Sequence, residues 1–120
     1  MQLLPPLLYE YPWQATQIGD IAGTRVRKMV LGQRTSAIPA TTIQSMTGHM
    51  LVGSWATEAA LTLMTMREGV ISPTTTMNGK TLLRYQYRDC KEDAAIRVAL
   101  ANSFGFGGVN AVLAFKRSEQ

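Results

Sequence analysis

Three glycines among four residues, Gly105, Gly107 and Gly108, stand between two apolar runs near the end of this 120-residue chain. The runs are Ala95 to Ala101 and Asn110 to Lys116, and each has the composition of a strand. Glycine reaches positive φ without steric penalty, so the pattern predicts a tight hairpin. Phe104 and Phe106 flank Gly105, and large rings at such a turn need a core, a partner or an acyl chain to lean on. The run Gly105 to Asn110 is not a dinucleotide fingerprint, because the third glycine is missing and a strand follows instead of a helix.

Upstream, Leu7 to Trp13 reads as a short strand after the Pro5-Pro6 break. Asp20 to Leu31 reads as a helix closed by Gly32. Ser36 to Gln44 suits a strand complicated by Pro39. Thr47 is placed to cap a helix from about Gly48 to Arg67, ended by Gly69. That helix is apolar on all sides, the pattern of a central buried helix, and Glu58 in its middle argues against a bilayer span. Val70 to Asp93 is polar and turn-rich, with Asn78-Gly79 as a tight turn. The element order is β-α-β-α-β-β, an α/β layered mixed sheet in a single domain, 1–120.

Hydrophobic residues make up 46% of the chain and charged ones 17%, which suits a globular domain with a modest core. One cysteine, Cys90, excludes an internal disulfide and fits a reducing cytoplasm. The opening Met1-Gln2-Leu3-Leu4 has no basic region and runs into two prolines, so it does not read as a signal peptide. A net charge of +4 permits an acidic partner, but no nucleic-acid recognition motif accompanies it. Arg25, Arg27, Lys28 and Arg34 are the densest basic group, either a solvated helix face or a docking face.

Two blocks carry a resemblance. Asn102 to Asn110 resembles the C-terminal signature of the β-ketoacyl-acyl-carrier-protein synthases, the condensing enzymes of fatty-acid and polyketide synthesis. Ser45-Met46-Thr47-Gly48-His49, with Glu58 further on, resembles the family's second-histidine block and the helix after it. The resemblance covers only the final third or so of a family chain. It implies the C-terminal half of a thiolase-like fold without its first strand and helix. That strand lies in the middle of the family's sheet, so either Leu3 to Trp13 fills the gap or another polypeptide supplies the strand.

The family reaction is a decarboxylative Claisen condensation. It needs a cysteine thiolate to carry the acyl chain and two neutral histidines to hydrogen-bond the charge on the malonyl thioester oxygen. Here the nucleophile's small-residue setting is absent, and Cys90 reads as an ordinary loop cysteine. The first histidine is also absent, since His49 is the only one in the chain. Pro12-Trp13-Gln14-Ala15-Thr16 stands where the family's first-histidine block would fall, and Thr16 alone keeps a hydroxyl for the pantetheine arm.

By the same resemblance His49 is the oxyanion donor, with a leftover core histidine as the plain alternative. Gln44 replaces the family lysine, leaving Glu58 a half-buried carboxylate in search of a donor such as Gln44. Trp55 replaces a glycine and narrows any tunnel, or fills core space. Phe106 matches the gate beside the nucleophile and Phe104 the acyl pocket wall, with Gly107 and Gly108 forming the turn; the alternative is that both rings close the core.

The resemblance implies no cofactor and no metal. Its partners would be an acyl carrier protein and a ketosynthase or N-terminal ketosynthase-like subunit, in an oligomer, with neither nucleic acid nor membrane. The leading expectation is a non-catalytic ketosynthase-like subunit of chain-length-factor type. A truncated synthase fragment and a basic adaptor for an acidic partner are the alternatives.

Overall fold

The computed structural model describes residues 7–10, 17–74, 95–105 and 107–118. In chain order the elements are β1 (Leu7–Glu10), α1 (Gln17–Leu31), a 3-10 turn (Gly32–Ser36), β2 (Ala40–Thr41), α2 (Gln44–Thr47), a second 3-10 turn (Leu51–Gly53), α3 (Ser54–Glu68), β3 (Val98–Phe104) and β4 (Asn110–Lys116). The β-α-β-α-β-β order therefore holds. The strands form one mixed sheet in the order β2-β1-β3-β4.

β1 pairs in parallel with β2 on one side and with β3 on the other, Leu7 lying opposite Val98 and Tyr9 opposite both Ala40 and Leu100. The expected gap is thus closed by the N-terminal strand of the chain itself. Leu7 and Tyr9 on one face of β1 and Leu8 on the other are buried or half-buried, as suits a strand covered on both sides. Leu8 joins Met66, Ile71, Ile96 and Ala99 on the α3 side. Tyr9 joins Ile38 and Ala40 on the α1 side, with Leu7, Leu31, Leu100 and Phe104 packed around them. Each fully buried aliphatic side chain in these clusters contributes about 1.5–3 kcal/mol.

Several expected boundaries move, the helix expected from Asp20 starting at Gln17. The strand expected over Ser36 to Gln44 shrinks to Ala40–Thr41, because the 3-10 turn runs to Ser36, Pro39 follows and α2 starts at Gln44. The helix expected from Gly48 starts at Ser54. Thr47 does not cap it; Thr47 ends α2, its hydroxyl bonded back to the Ile43 carbonyl at 3.3 Å. Gly48 at φ 71 and Leu51 at φ 50 both leave helical space, and this breaks what looked like one helix. Gly69, at φ 69, ends α3 as expected, its N–H donating to the Thr65 carbonyl.

α3 is also not buried all round. Its inward face is Ser54, Glu58, Thr62, Thr65 and Met66, so it is mostly polar, whereas Trp55, Leu63 and Met64 face outward. The hairpin is as expected in kind, with β3 and β4 antiparallel and Gly107 and Gly108 at φ 85 and 81. β3 runs over Val98–Phe104 and not Ala95 to Ala101, and its later end at Phe104 makes the connecting turn short.

Candidate active site

The segment from Ile43 to Ser54 carries the histidine, and hydrogen bonds within it fix its path. The Ser45 hydroxyl donates to the Thr42 carbonyl at 2.9 Å, and the Gly48 N–H closes α2 on the Gln44 carbonyl. The Met50 N–H donates to the Ser54 hydroxyl at 2.9 Å, which ties the loop to the first turn of α3. His49 lies between these anchors and is exposed. It therefore stands in a loop ahead of α3, not at a helix N-terminus as the sequence suggested.

The imidazole is nevertheless oriented. The Leu51 N–H donates to His49 Nδ1 at 3.0 Å. A ring nitrogen that accepts a hydrogen bond carries no proton, so the neutral ring holds its proton on Nε2 and presents it as a donor. Met46, Leu51, Val52 and Trp55 are exposed around it in the chain, Val52 at 95%.

Gln44 opens α2 and Glu58 lies on the inner face of α3, and the structure brings them together. Gln44 Nε2 donates to Glu58 Oε1 at 2.6 Å. Glu58 is buried, only 3% exposed, so it is deeper than the half-buried carboxylate expected. Burial raises its pKa; the Gln44 hydrogen bond and, whenever its ring is protonated, the charge of His49 pull the other way without reversing that direction. A neutral amide is a weaker counterpart than an ammonium, so the acid is biased toward its protonated form.

Trp55 and Glu58 line a shallow cleft, open to solvent, with Ala101, Asn102, Ser103, Ala111 and Leu113. Trp55 thus walls a cleft and does not fill the core. Asn102 is buried here, a residue that sequence reasoning quoted but did not single out. The available signal was an asparagine in the middle of an otherwise strand-forming run.

The basic group divides. Arg25, Lys28 and Arg34 are exposed, but Arg27 is only 5% exposed and cannot serve a docking face. Its NH2 donates to the Thr35 carbonyl at 3.0 Å and to the Ile38 carbonyl. Its guanidinium also lies over the Tyr9 ring, 5.5 Å from the centroid, a cation–π geometry. A fixed cation inside needs such partners, and the 3-10 turn after α1 supplies them.

Phe104 is half-buried and packs in the α1-side core cluster, so it closes the core on the sheet face opposite Leu8 and Ala99. Gly107 and Gly108 form the turn, whose Gly105 N–H donates to the Val109 carbonyl at 2.7 Å. Thr16, Phe106 and Cys90 lie outside the described residues.

Comparison with known proteins fits this geometry. Residues 13–78, over half of the chain, match the β-ketoacyl synthase C-terminal domain. The chain is 40% identical over 105 residues to 3-oxoacyl-[acyl-carrier-protein] synthase 2 of Synechocystis, covering 86% of this chain and 25% of the relative. It is 38% identical over 108 residues to synthase 1 of Haemophilus influenzae, covering 86% and 26%. The chain thus spans about a quarter of the length of the curated relatives it matches.

Among solved structures, a β-ketoacyl synthase from Burkholderia phymatum superposes at a TM-score of 0.79 with 26% identity, over 94% of this chain and 28% of that one. A type II polyketide ketosynthase, solved in complex with its acyl-carrier protein, shares the fold at a TM-score of 0.83 and 24% identity, over 95% of this chain and 28% of that one. Sequence match and fold agree over nearly the whole length, and the chain belongs to the β-ketoacyl synthase family, as a C-terminal portion with a partial thiolase-like fold.

Proposed function

We propose that this chain serves fatty-acid or polyketide chain elongation as a portion that does not condense by itself. A partner portion, in the same polypeptide or a separate one, supplies the nucleophilic cysteine and the first histidine. There the acyl chain waits as a thioester, and a malonyl thioester on the carrier protein loses carbon dioxide. The carbanion then attacks the acyl carbonyl carbon and the cysteine thiolate leaves. His49 donates from Nε2 to the malonyl thioester oxygen while negative charge gathers there.

The observation that carries this is the fixed ring of His49, its Nδ1 occupied by the Leu51 N–H, amid exposed apolar residues that need cover. Gln44 in place of a lysine supports a subordinate role of chain-length-factor type, because Glu58 is met by a neutral amide instead of an ammonium. Exposed Arg25, Lys28 and Arg34 suit docking of an acidic carrier protein.

Ketoacyl product, measured by mass spectrometry on acyl- and malonyl-carrier proteins, tests the reading. The purified chain should give none. Paired with an N-terminal ketosynthase portion it should give product, and His49→Ala should lower the rate about 10²–10³-fold. Product from the chain alone that persists in Cys90→Ala overturns the proposal.

A further inference from the structure

α1 is amphipathic in the reverse sense for a surface helix. Gly23, Thr24 and Arg27 are its buried residues. Ile18, Ala22, Val26, Met29 and Val30 follow at helical spacing, i, i+4, i+8, i+11 and i+12, and so form one stripe along its outer side. Ile18 is 84% exposed, Met29 83%, Val30 75% and Val26 51%. Single exposed apolar residues are ordinary, but a continuous row bordered by charge marks a contact surface.

The site already described does not account for this stripe. Its cleft is walled by α3, β3 and β4, whereas α1 packs on the other face of the sheet. Arg25 and Lys28, three residues apart, border the stripe, and Arg34 in the 3-10 turn carries the basic margin past its end. All three are exposed, and among the described residues of α1 no acidic side chain is. The face is thus an apolar ridge with cations along one margin. A protein partner needs a groove shaped to such a ridge, whereas the headgroup layer of a bilayer yields to it.

We propose that α1 lies on an anionic membrane surface. Its stripe enters the boundary between headgroups and acyl chains, and Arg25, Lys28 and Arg34 meet the lipid phosphates. Ile18 and Val30 lie about 18 Å apart along the helix axis, so the whole stripe meets a flat surface at once. Among the described residues no helix is long and apolar enough to cross a membrane, so the contact is interfacial. This departs from the absence of a membrane that the family resemblance implies. It stands on α1 and does not depend on the condensing role.

Flotation with vesicles tests the proposal. Vesicles of equal parts phosphatidylglycerol and phosphatidylcholine should bind the chain at least about tenfold better than phosphatidylcholine alone. The net charge of +4 contributes to that difference, so the stripe needs its own test. Met29→Ser should weaken binding about tenfold with the circular dichroism spectrum unchanged. Arg25→Gln with Lys28→Gln should weaken it about tenfold or more, and Lys116→Gln with Arg117→Gln, which removes equal charge at the β4 edge, less than about twofold.

In a Cys90→Ser background, a polarity-sensitive dye on Met29→Cys should shift to the blue on the anionic vesicles. The same dye on Leu63→Cys, exposed on α3, should not. The chain paired with an N-terminal ketosynthase portion should bind as the chain does. Equal binding to both vesicle types, indifference to Met29→Ser, a shift at Leu63 in place of Met29, or loss of binding in the paired form overturns the proposal. So does an acidic carrier protein that shifts the Met29→Cys dye where vesicles do not.

Discussion

α1 and α3 are both 15 residues long and lie on opposite faces of one sheet, yet they bury opposite charges by different means. α1 turns Arg27 inward, where two carbonyls and a tyrosine ring receive it. Arginine cannot give up its proton in a protein, so the fold must meet it with acceptors. α3 turns Glu58 inward, where one amide donates to it. Burial penalises a carboxylate with so little support, and its pKa rises. The same sheet therefore holds a permanent cation on one side and a pH-dependent acid on the other.

The sharpest way to break this contrast is Arg27→Met. It leaves the Thr35 and Ile38 carbonyls unpaired in a buried site and should cost about 2–4 kcal/mol of unfolding free energy, measured by urea denaturation. If Arg27→Lys loses almost as much, the planar fork over Tyr9 matters beyond charge; near-complete rescue would mean that charge alone suffices.

Gly107→Val comes next, at about 1–2 kcal/mol of stability by the same titration. Among the described residues nothing lies within 4 Å of a Cβ at Gly107, so the cost lies in the φ of 85 and not in bulk. Gly107→Ala should then cost nearly as much as valine. Cys90→Ser, in a charged run, should be almost silent in melting temperature.

Glu58→Gln sharpens the other side of the comparison. A carboxyl whose pKa is higher folded than unfolded binds more protons in the native state, so stability falls as pH rises. The loss begins near the ordinary value of 4.5 and is complete above the raised folded value. Thermal melts across that range should show the decline in the parent and a flatter profile in Glu58→Gln. Gln44→Lys should also flatten it, because an ammonium favours the ionised carboxylate. A parent that gains stability with pH through this window overturns the assignment of Glu58 as a destabilised anion.

His49→Ala should also change stability little. The ring is exposed and holds one hydrogen bond to Leu51, so the melting temperature should move by the equivalent of less than about 0.5 kcal/mol. Its consequence should appear in chain elongation with a partner portion. A large loss of stability would instead make His49 a structural residue.

Short-range chemistry in the sequence determined the parts that are local. Gly107 and Gly108 specify a turn because few other residues take φ near 80, and Gly69 ends α3 for the same reason. The Ser45 to His49 block and the glycine hairpin named the family, and the Gln44-for-lysine change pointed to the Gln44–Glu58 bond. Sequence could not say that Leu7–Glu10 would sit between β2 and β3, since β1 and β3 are some ninety residues apart in the chain.

Nor could it say which way each helix would turn. An apolar residue and a polar one at helical spacing normally mark the inside and the outside, and both helices violate that rule. Arg27 reads as one more member of a basic run until the carbonyls of Thr35 and Ile38 and the Tyr9 ring are in place. His49 reads as the start of a helix until Gly48 and Leu51 adopt positive φ. Local conformation follows from each residue's own torsional limits and is written in the chain. Burial and partnership depend on which distant segments pack together, and only the tertiary structure decides them.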